Sequence, residues 1–129
     1  MGASPEVKEL TKASFNNCII YGSYTNELLL SKKTGAAFNY QFNNCLIKFD
    51  ANSANSEYQF QTDPVHFNAI ILNQSPKFEN VSLNKLNIDN SSAAFAKGNS
   101  AYLIPLDILG NTRTLPPDLG AYQSKAFLK

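Results

Sequence analysis

Arg113 is the only arginine among eleven basic residues, and it lies between two aspartates, Asp107 and Asp118. One use of such a guanidinium is to pin the chain end by hydrogen bonds to carboxylates or backbone carbonyls, because its planar geometry suits this task better than lysine's. The other use is to bind a sugar acid or a calcium ion together with the two aspartates. Two carboxylates complete a calcium shell only with several backbone carbonyls. We therefore favour the structural use and keep these three residues as the candidate ligand-binding set, with no other metal site and no cofactor.

His66 is the only histidine, and it stands beside Asp63 and one residue before a repeated phenylalanine. We expect its side chain to point outward into solvent. A catalytic histidine needs a nucleophile and an orienting group nearby, and the local sequence supplies no Ser-His-Asp or Cys-His arrangement. No catalytic residue is assigned.

A hexapeptide recurs along the first half of the chain. Phe-Asn-Asn-Cys-Ile-Ile at 15–20 returns as Phe-Asn-Asn-Cys-Leu-Ile at 42–47, 27 positions later. A weaker copy, Phe-Asn-Ala-Ile-Ile-Leu, follows at 67–72 after 25 more positions. Periods of about 20 to 50 residues are typical of stacked structural units. The repeats therefore predict a parallel β-solenoid in which residues sharing a slot form columns.

We assign three columns to the interior of this solenoid. They are Phe15, Phe42 and Phe67; Cys18, Cys45 and Ile70; and Ile20, Ile47 and Leu72. Cys18 and Cys45 should then lie about 4.8 Å apart on neighbouring strands. We favour reduced thiols over a disulfide, because adjacent parallel strands seldom offer the bridging geometry. The asparagines at 16, 43 and 68, and those at 17 and 44, are predicted to stack as ladders or to adopt left-handed turns.

The predicted fold class is an all-β, right-handed parallel β-helix fragment of about two to three coils. Residues 1–14 form a leader, with a short capping helix or irregular lead-in at 5–12. Residues 15–75 form the coils, and residues 76–129 form an irregular terminating cap that shields the last coil. The predicted strand segments are 17–21, 27–31, 36–42, 44–49, 57–61, 66–72, 86–88 and 101–104.

Composition limits the partners. The chain has 129 residues, 43% of them hydrophobic, and a net charge of +1, which suits one domain with a real core. No Lys/Arg block marks a nucleic-acid or anionic-membrane surface. The apolar runs are far shorter than the roughly 18 residues that span a bilayer. Met1-Gly2 is typical of a cloning leader on a piece of a longer polypeptide, and the N-terminus lacks the regions of a signal peptide.

The C-terminal third resembles the ending of right-handed parallel β-helix proteins of the pectate-lyase-like superfamily that are frequent in Bacteroidetes. The resemblance covers about residues 75–123. Its motifs are Ser-Pro-Lys-Phe at 75–78, Leu-Asn-Ile at 86–88, Ser-Ala-Ala-Phe-Ala-Lys-Gly at 92–98, Asp-x-x-Gly-x-x-Arg at 107–113 and Asp-Leu-Gly-Ala-Tyr at 118–122. Ser92 stands where proline is usual, and Gln123 where glutamate is usual.

This resemblance implies an exported protein located outside the cell, at the cell surface or in the periplasm. It implies architecture more specifically than activity, since one scaffold hosts many functions. We expect a non-catalytic part that contacts polysaccharide or glycan, or provides structural support. The alternative is a fragment of a polysaccharide lyase or glycoside hydrolase whose active site lies on upstream coils. Six aromatic residues offer a sugar-stacking platform or ordinary packing: Tyr21, Tyr24, Phe38, Tyr40, Tyr58 and Phe60.

Overall fold

The structure is a computed structural model that describes residues 8–32, 34–49 and 58–127. Within these ranges the chain consists mostly of short strands and irregular segments with little helix, which confirms the all-β prediction at that level. The strands are β1 (Ser14–Asn16), β2 (Ile19–Ile20), β3 (Gln41–Asn43), β4 (Leu46–Ile47), β5 (Phe67–Asn68) and β6 (Ile71–Leu72). Two 3-10 helices follow, at Val81–Leu83 and Ser100–Tyr102.

The six strands form two parallel three-stranded sheets. One has the order β1-β3-β5 and the other β2-β4-β6, so each copy of the hexapeptide contributes one strand to each sheet. We call the copies levels: level 1 is β1 with β2, level 2 is β3 with β4, and level 3 is β5 with β6. The register pairs Phe15 with Phe42 and Phe42 with Phe67. The alignment predicted from the repeat is therefore present in the first sheet.

The second sheet keeps the same register. Ile20 pairs with Ile47, and Ile47 pairs with Leu72. The strands are only two or three residues long, so each contributes few hydrogen bonds of its own. Stacking of the side chains that are paired in the register supplies the remaining contacts between the levels.

A left-handed residue separates the two strands of every level. Asn17 and Asn44 have φ angles of 57° and 54°, and Ala69 has 53° at the third level. Asparagine tolerates this conformation better than most residues. At the first two levels the second asparagine of the repeat therefore turns the chain from one sheet to the other, and at the third level Ala69 does so.

Two apolar cores lie on opposite faces of the second sheet. Leu46 and Ile47 belong to different cores, since successive side chains of a strand point to opposite faces. The inner core contains Tyr40, Phe42, Cys45, Ile47, Phe49, Phe60, Phe67 and Ile70. The outer core contains Leu46, Ile88, Ala94 and Leu119.

The outer core exists because the C-terminal segment, residues 75–127, packs along the side of the levels. At level 1 the Gly120 backbone N–H donates to the Asn17 carbonyl at 2.8 Å. At level 2, Leu46 packs with tail residues, and Ile71 of level 3 packs against the same core. The contacts of this segment therefore reach all three levels.

Several predicted segments have different structures. Residues 27–31 and 86–88 contain no strand, and neither do the described residues of 57–61. Residues 101–104 begin in a 3-10 helix. Residues 8–12 are not helical and make one bridge, from Leu10 to Phe38. The remainder of the predicted helix, 5–7, lies outside the described residues. These strand predictions were wrong because β-branched and apolar content also occurs in irregular segments that pack against the two cores.

Candidate functional site

Asp107 holds the turn that follows it. Its Oδ1 accepts hydrogen bonds from the backbone N–H groups of Leu109 at 2.9 Å and Asn111 at 2.8 Å. Its Oδ2 accepts from the Asn111 side-chain amide at 3.3 Å and from the Gln123 backbone N–H at 2.8 Å. Burial raises the pKa of the Asp107 carboxyl, but these donors outweigh burial and hold the pKa below its ordinary value. The carboxylate therefore ties the turn at 107–111 to the last segment of the chain.

Asp118 has a similar structural role. It is 1% exposed, and its two oxygens accept from the backbone N–H groups of Ala96 and Ser124, both at 2.7 Å. It thus joins two stretches of the tail that are distant in sequence.

Arg113 reaches a backbone carbonyl. Its Nη2 donates to the Gly120 carbonyl at 2.9 Å, and within the described part of the chain it pairs with neither aspartate. Its Nη1 is buried without a hydrogen-bond partner among the described residues. Of the two clasps predicted, the one through carbonyls is present. The one through carboxylates is not, because N–H groups already occupy both aspartates.

This arrangement does not fit a calcium ion. All four carboxylate oxygens of Asp107 and Asp118 accept hydrogen bonds from N–H donors, which stand where a cation would be bound, and calcium requires about six to eight oxygen ligands. The residues that the structure describes contain no group of three or more His, Cys, Asp or Glu placed to hold a metal. Binding of a sugar acid by these residues stays a prediction.

The predicted Phe column is a stack of nearly parallel rings. The Phe15 and Phe42 centroids are 4.7 Å apart with planes 12° apart, and Phe42 and Phe67 are 5.7 Å apart at 18°. Phe42 and Phe67 are buried, but Phe15 is 42% exposed. Of the other column residues, Cys45, Ile47 and Ile70 are buried, and three are half-buried against them: Cys18, Ile20 and Leu72.

Cys18 and Cys45 are free thiols in contact. A hydrogen bond from Cys45 lowers the pKa of Cys18 to about 7, against the opposing effect of burial. The same contact, reinforced by burial, raises the pKa of Cys45. The pair lies in the inner core, so it is a packing element of the column first.

The face of the first sheet that points away from the Phe column is polar. Ser14 pairs with Gln41 in the register, and His66 is level with Gln41 because it precedes Phe67, the partner of Phe42. The three side chains therefore form an outward column of hydroxyl, amide and imidazole groups.

A second polar column runs beside it as an amide ladder. The Asn43 Nδ2 donates to the Asn16 Oδ1 at 2.8 Å, and the Asn68 Nδ2 donates to the Asn43 Oδ1 at 3.1 Å. The predicted ladder at 16, 43 and 68 is thus present. The second predicted ladder is replaced by contacts to the tail, in which Asn17 and Asn44 donate to the carbonyls of Asn99 and Lys97, because the corner directs these side chains toward that segment.

His66 is held in place, which corrects the prediction that it is exposed to solvent. Its Nδ1 lies 2.7 Å from the Asp63 Oδ2, and its side chain is 29% exposed. Its ring stacks on Tyr40 with centroids 4.1 Å apart. The hydrogen bond with His66 lowers the pKa of Asp63. The His66 side chain, which the sequence pattern predicts to point into solvent, is therefore held by the Asp63 carboxylate and by the buried Tyr40 ring.

A groove of about 310 Å³ runs along this face. Its lining includes Lys12, Ser14, Asn39, Gln41, Val65 and His66. Ser14 and His66 lie two levels apart with Gln41 between them, and adjacent levels are about 4.8 Å apart. The Asp63–His66 pair therefore has no adjacent serine to activate. The groove instead presents several hydrogen-bonding groups in a row, with one lysine beside them. Such a row suits a ligand that carries many hydroxyl groups.

Sequence reasoning missed this groove, although the repeat contained the signal. Positions 14, 41 and 66 each precede the repeated phenylalanine. An inward phenylalanine places its neighbour outward, so these positions mark an outward column. What the repeat did not contain is Asp63, which comes from the irregular segment before level 3.

The aromatic residues proposed as a sugar platform are mostly engaged in packing. Tyr40 and Phe60 are each 7% exposed. The Tyr58 hydroxyl accepts from the Leu30 backbone N–H at 2.8 Å, and Tyr21 lies under the Lys48 ammonium. Tyr24 is 75% exposed and stands alone of these as a freely accessible ring. These six residues therefore do not form an aromatic platform.

Comparison with known protein families, with curated proteins and with solved structures finds no match to this chain.

Proposed function

We propose that this chain is the C-terminal, non-catalytic part of an exported right-handed parallel β-helix that binds polysaccharide or glycan along its polar groove. The two in-register parallel sheets and the resemblance of residues 75–123 support the β-helix. The same resemblance supports a location outside the cell, at its surface or in the periplasm. The part of the chain that the structure describes contains no helix with the length and apolar character needed to span a bilayer.

The observation that carries the proposal is the outward column of Ser14, Gln41 and His66. Its spacing of about 4.8 Å per rung repeats along the stack, as the hydroxyl groups of an extended sugar chain repeat. Asp63 and Tyr40 fix the His66 ring, so its orientation is set before a ligand arrives. Fixed groups lose little conformational entropy on binding.

Lys12 adds one positive charge to the lining, which favours sugars that carry a carboxylate. We therefore expect uronic-acid oligosaccharides to bind more tightly than neutral ones of equal length. A preference that weakens with added salt is expected, because the lysine is exposed.

The test is titration calorimetry with the two classes of oligosaccharide. Gln41→Ala should weaken binding about tenfold, since a lost pair of hydrogen bonds to an uncharged ligand is worth about 1 to 2 kcal/mol. Gln74→Ala is the matched control, because Gln74 is exposed and does not line the groove. Lys12→Ala should abolish the preference for uronic acids, and Lys97→Ala should keep it.

Two outcomes would contradict the proposal. Equal weakening by Gln41→Ala and Gln74→Ala would place the binding surface elsewhere. Steady release of unsaturated products from acidic polysaccharide would assign the chain to a polysaccharide lyase instead.

A further inference from the structure

Cys18 and Cys45 occupy the same position at neighbouring levels. Ile19 and Leu46, the residues that follow them, are paired in the register, and the Leu46 backbone N–H donates to the Cys18 carbonyl at 2.9 Å. Adjacent levels are about 4.8 Å apart. This spacing falls within the Cα separation of about 4.4 to 6.8 Å that disulfides show. The backbone therefore already places the two thiols at a distance that a disulfide can bridge.

The two cysteines stand outside the strands. Each directly follows the left-handed corner of its level, at Asn17 and Asn44. The poor bridging geometry of adjacent parallel strands concerns residues within regular strands, so it does not apply to this position. The two thiols are free and in contact. Reduced thiols in contact and a disulfide formed on oxidation are compatible states of the same pair.

The two thiols differ in access and in acidity. Cys45 is 0% exposed, whereas Cys18 is half-buried. Level 1 is also where the Phe column is open, since Phe15 is 42% exposed. The hydrogen bond from Cys45 lowers the pKa of Cys18 to about 7, so much of Cys18 is thiolate at neutral pH, and the thiolate is the reactive form. Cys18 thus has the features of an attacking thiol, with Cys45 protected beside it.

We propose that Cys18 is a site of oxidation by hydrogen peroxide, and that Cys45 then attacks the oxidised Cys18 to form a disulfide between levels 1 and 2. Accessible thiols next to a second cysteine are typical of sites that peroxide oxidises reversibly. Neither cysteine lines the polar groove, so this proposal is independent of glycan binding.

The reaction has two steps. In the first, the Cys18 thiolate sulfur attacks one peroxide oxygen; the S–O bond of a sulfenic acid forms, the O–O bond breaks, and hydroxide leaves and takes a proton from solvent. In the second, the Cys45 sulfur attacks the Cys18 sulfur; the S–S bond forms, the S–O bond breaks, and the leaving hydroxide takes the Cys45 proton. The two sulfurs lose two electrons, peroxide gains them, and two waters are released.

The change of charge at Cys18 explains the order of these steps. The hydrogen bond to Cys18, together with burial, raises the pKa of Cys45, so Cys45 stays protonated while Cys18 is a thiolate. A sulfenic acid is uncharged at neutral pH. Oxidation of Cys18 therefore removes the main reason for Cys45 to keep its proton, and the second thiol becomes reactive only after the first has been oxidised.

The test is treatment of the full chain with hydrogen peroxide at neutral pH, followed by mass spectrometry. The mass should fall by that of two hydrogen atoms, and dithiothreitol should restore it. Trypsin cuts between the cysteines after Lys32, so the peptides 13–32 and 34–48 should appear joined without reductant and separate with it. This measurement needs no variant, so it does not depend on whether a substituted chain folds.

Two variants assign the roles of the cysteines. Cys45→Ser should leave Cys18 as a sulfenic acid that dimedone traps, whereas the parent should form little dimedone adduct. Cys18→Ser should lose its remaining thiol about tenfold more slowly than the parent, because Cys45 is buried. Thermal melting checks that each variant keeps its fold.

Four outcomes would overturn the proposal. Thiols that stay reduced in the folded parent would show that peroxide does not reach Cys18. A dimedone adduct or sulfinic acid in the parent, without joined peptides, would remove the role of Cys45. A disulfide between two chains, seen as a dimer on a non-reducing gel, would exclude the pairing of levels 1 and 2. Equal oxidation rates in Cys18→Ser and the parent would show that Cys18 is not the attacking thiol.

Discussion

At the scale of the residue, the Phe column shows how one side chain contributes differently at different levels. Phe42 has rings on both sides, whereas Phe15 has a ring on one side and is 42% exposed. Burial of apolar area and contact between rings both contribute to stability. The middle ring therefore contributes most.

Phe42→Ala is expected to lower the free energy of unfolding by about 3 to 5 kcal/mol, because it leaves a cavity between two rings. Phe15→Ala should cost about 1 to 2 kcal/mol, since part of that ring is already in water. Urea denaturation measures both. A loss below about 1 kcal/mol for Phe42→Ala would contradict the interior position of this ring.

Asp107 acts by accepting N–H donors, not by binding a metal. Asp107→Asn is expected to lower the free energy of unfolding by about 1 to 3 kcal/mol at neutral pH. The reason is that the NH₂ group of asparagine cannot accept the hydrogen bonds that one of the two carboxylate oxygens now accepts. Glu9→Gln removes the same charge from an exposed position and should change little.

The acid dependence of Asp107 follows from its lowered pKa. Its contribution is fully present above the unfolded-state pKa of about 3.9 and is lost as the pH falls through the lower folded-state pKa. The stability difference between the parent and Asp107→Asn should therefore shrink as the pH falls below about 4. Denaturation series at several pH values measure it. A difference that is constant with pH would mean that the carboxylate charge is not what the turn uses.

At the scale of the element, strands of two or three residues persist because identical side chains stack in register. Asn43 makes this visible, since it is 5% exposed and is bonded to the asparagines of both neighbouring levels. A buried amide is stable only when its donors and acceptor are paired. The ladder thus reinforces the register that the Phe column also favours, since a slip of one residue would turn both sets of side chains to the wrong face.

Asn43→Ala is expected to cost about 1 to 3 kcal/mol, because it removes both side-chain bonds of the ladder and leaves the half-buried Asn16 Oδ1 without its Asn43 donor. Asn16→Ala, at the first level, breaks one side-chain bond of the ladder and should cost about 0.5 to 1.5 kcal/mol. Urea denaturation compares the two variants. Equal losses would show that the ladder does not couple the levels.

At the scale of the whole molecule, the tail turns a stack of short strands into a body with two cores. Gly120 brings the tail close to level 1, since a Cβ there would lie 2.8 Å from the Ile19 Cδ1. Gly120 also has a φ of +90°. Gly110 has a similar φ of +84° but no heavy atom within 4 Å of such a Cβ.

This pair of glycines separates backbone strain from packing. Alanine at either position should cost about 1 to 2 kcal/mol through the left-handed backbone. Gly120→Ala should cost about 1 to 3 kcal/mol more, because it also pushes the tail away from level 1. Thermal denaturation of both variants measures the difference. Equal destabilisation would mean that the tail does not press on Ile19.

The repeat was sufficient to predict the columns and the amide ladder, because residues at a fixed period meet their own copies whatever the rest of the chain does. The left-handed corners at Asn17 and Asn44 were foreseeable for the same reason, since asparagine tolerates that backbone, whereas the corner at Ala69 was not. The irregular structure of 27–31 and 86–88, which the sequence predicted to be strands, was not foreseeable, because apolar composition does not distinguish a strand from an irregular segment packed on a core.

The path of the tail and the groups it engages were decided only by tertiary structure. The contact between Asn17 and Asn99 joins residues 82 positions apart, and no periodicity links them. The same holds for His66, whose surroundings come from Asp63 in an irregular turn and from a ring one level away. The physical reason is that stacking repeats one local choice at every level, whereas docking of the tail depends on surfaces that exist only after the levels have formed.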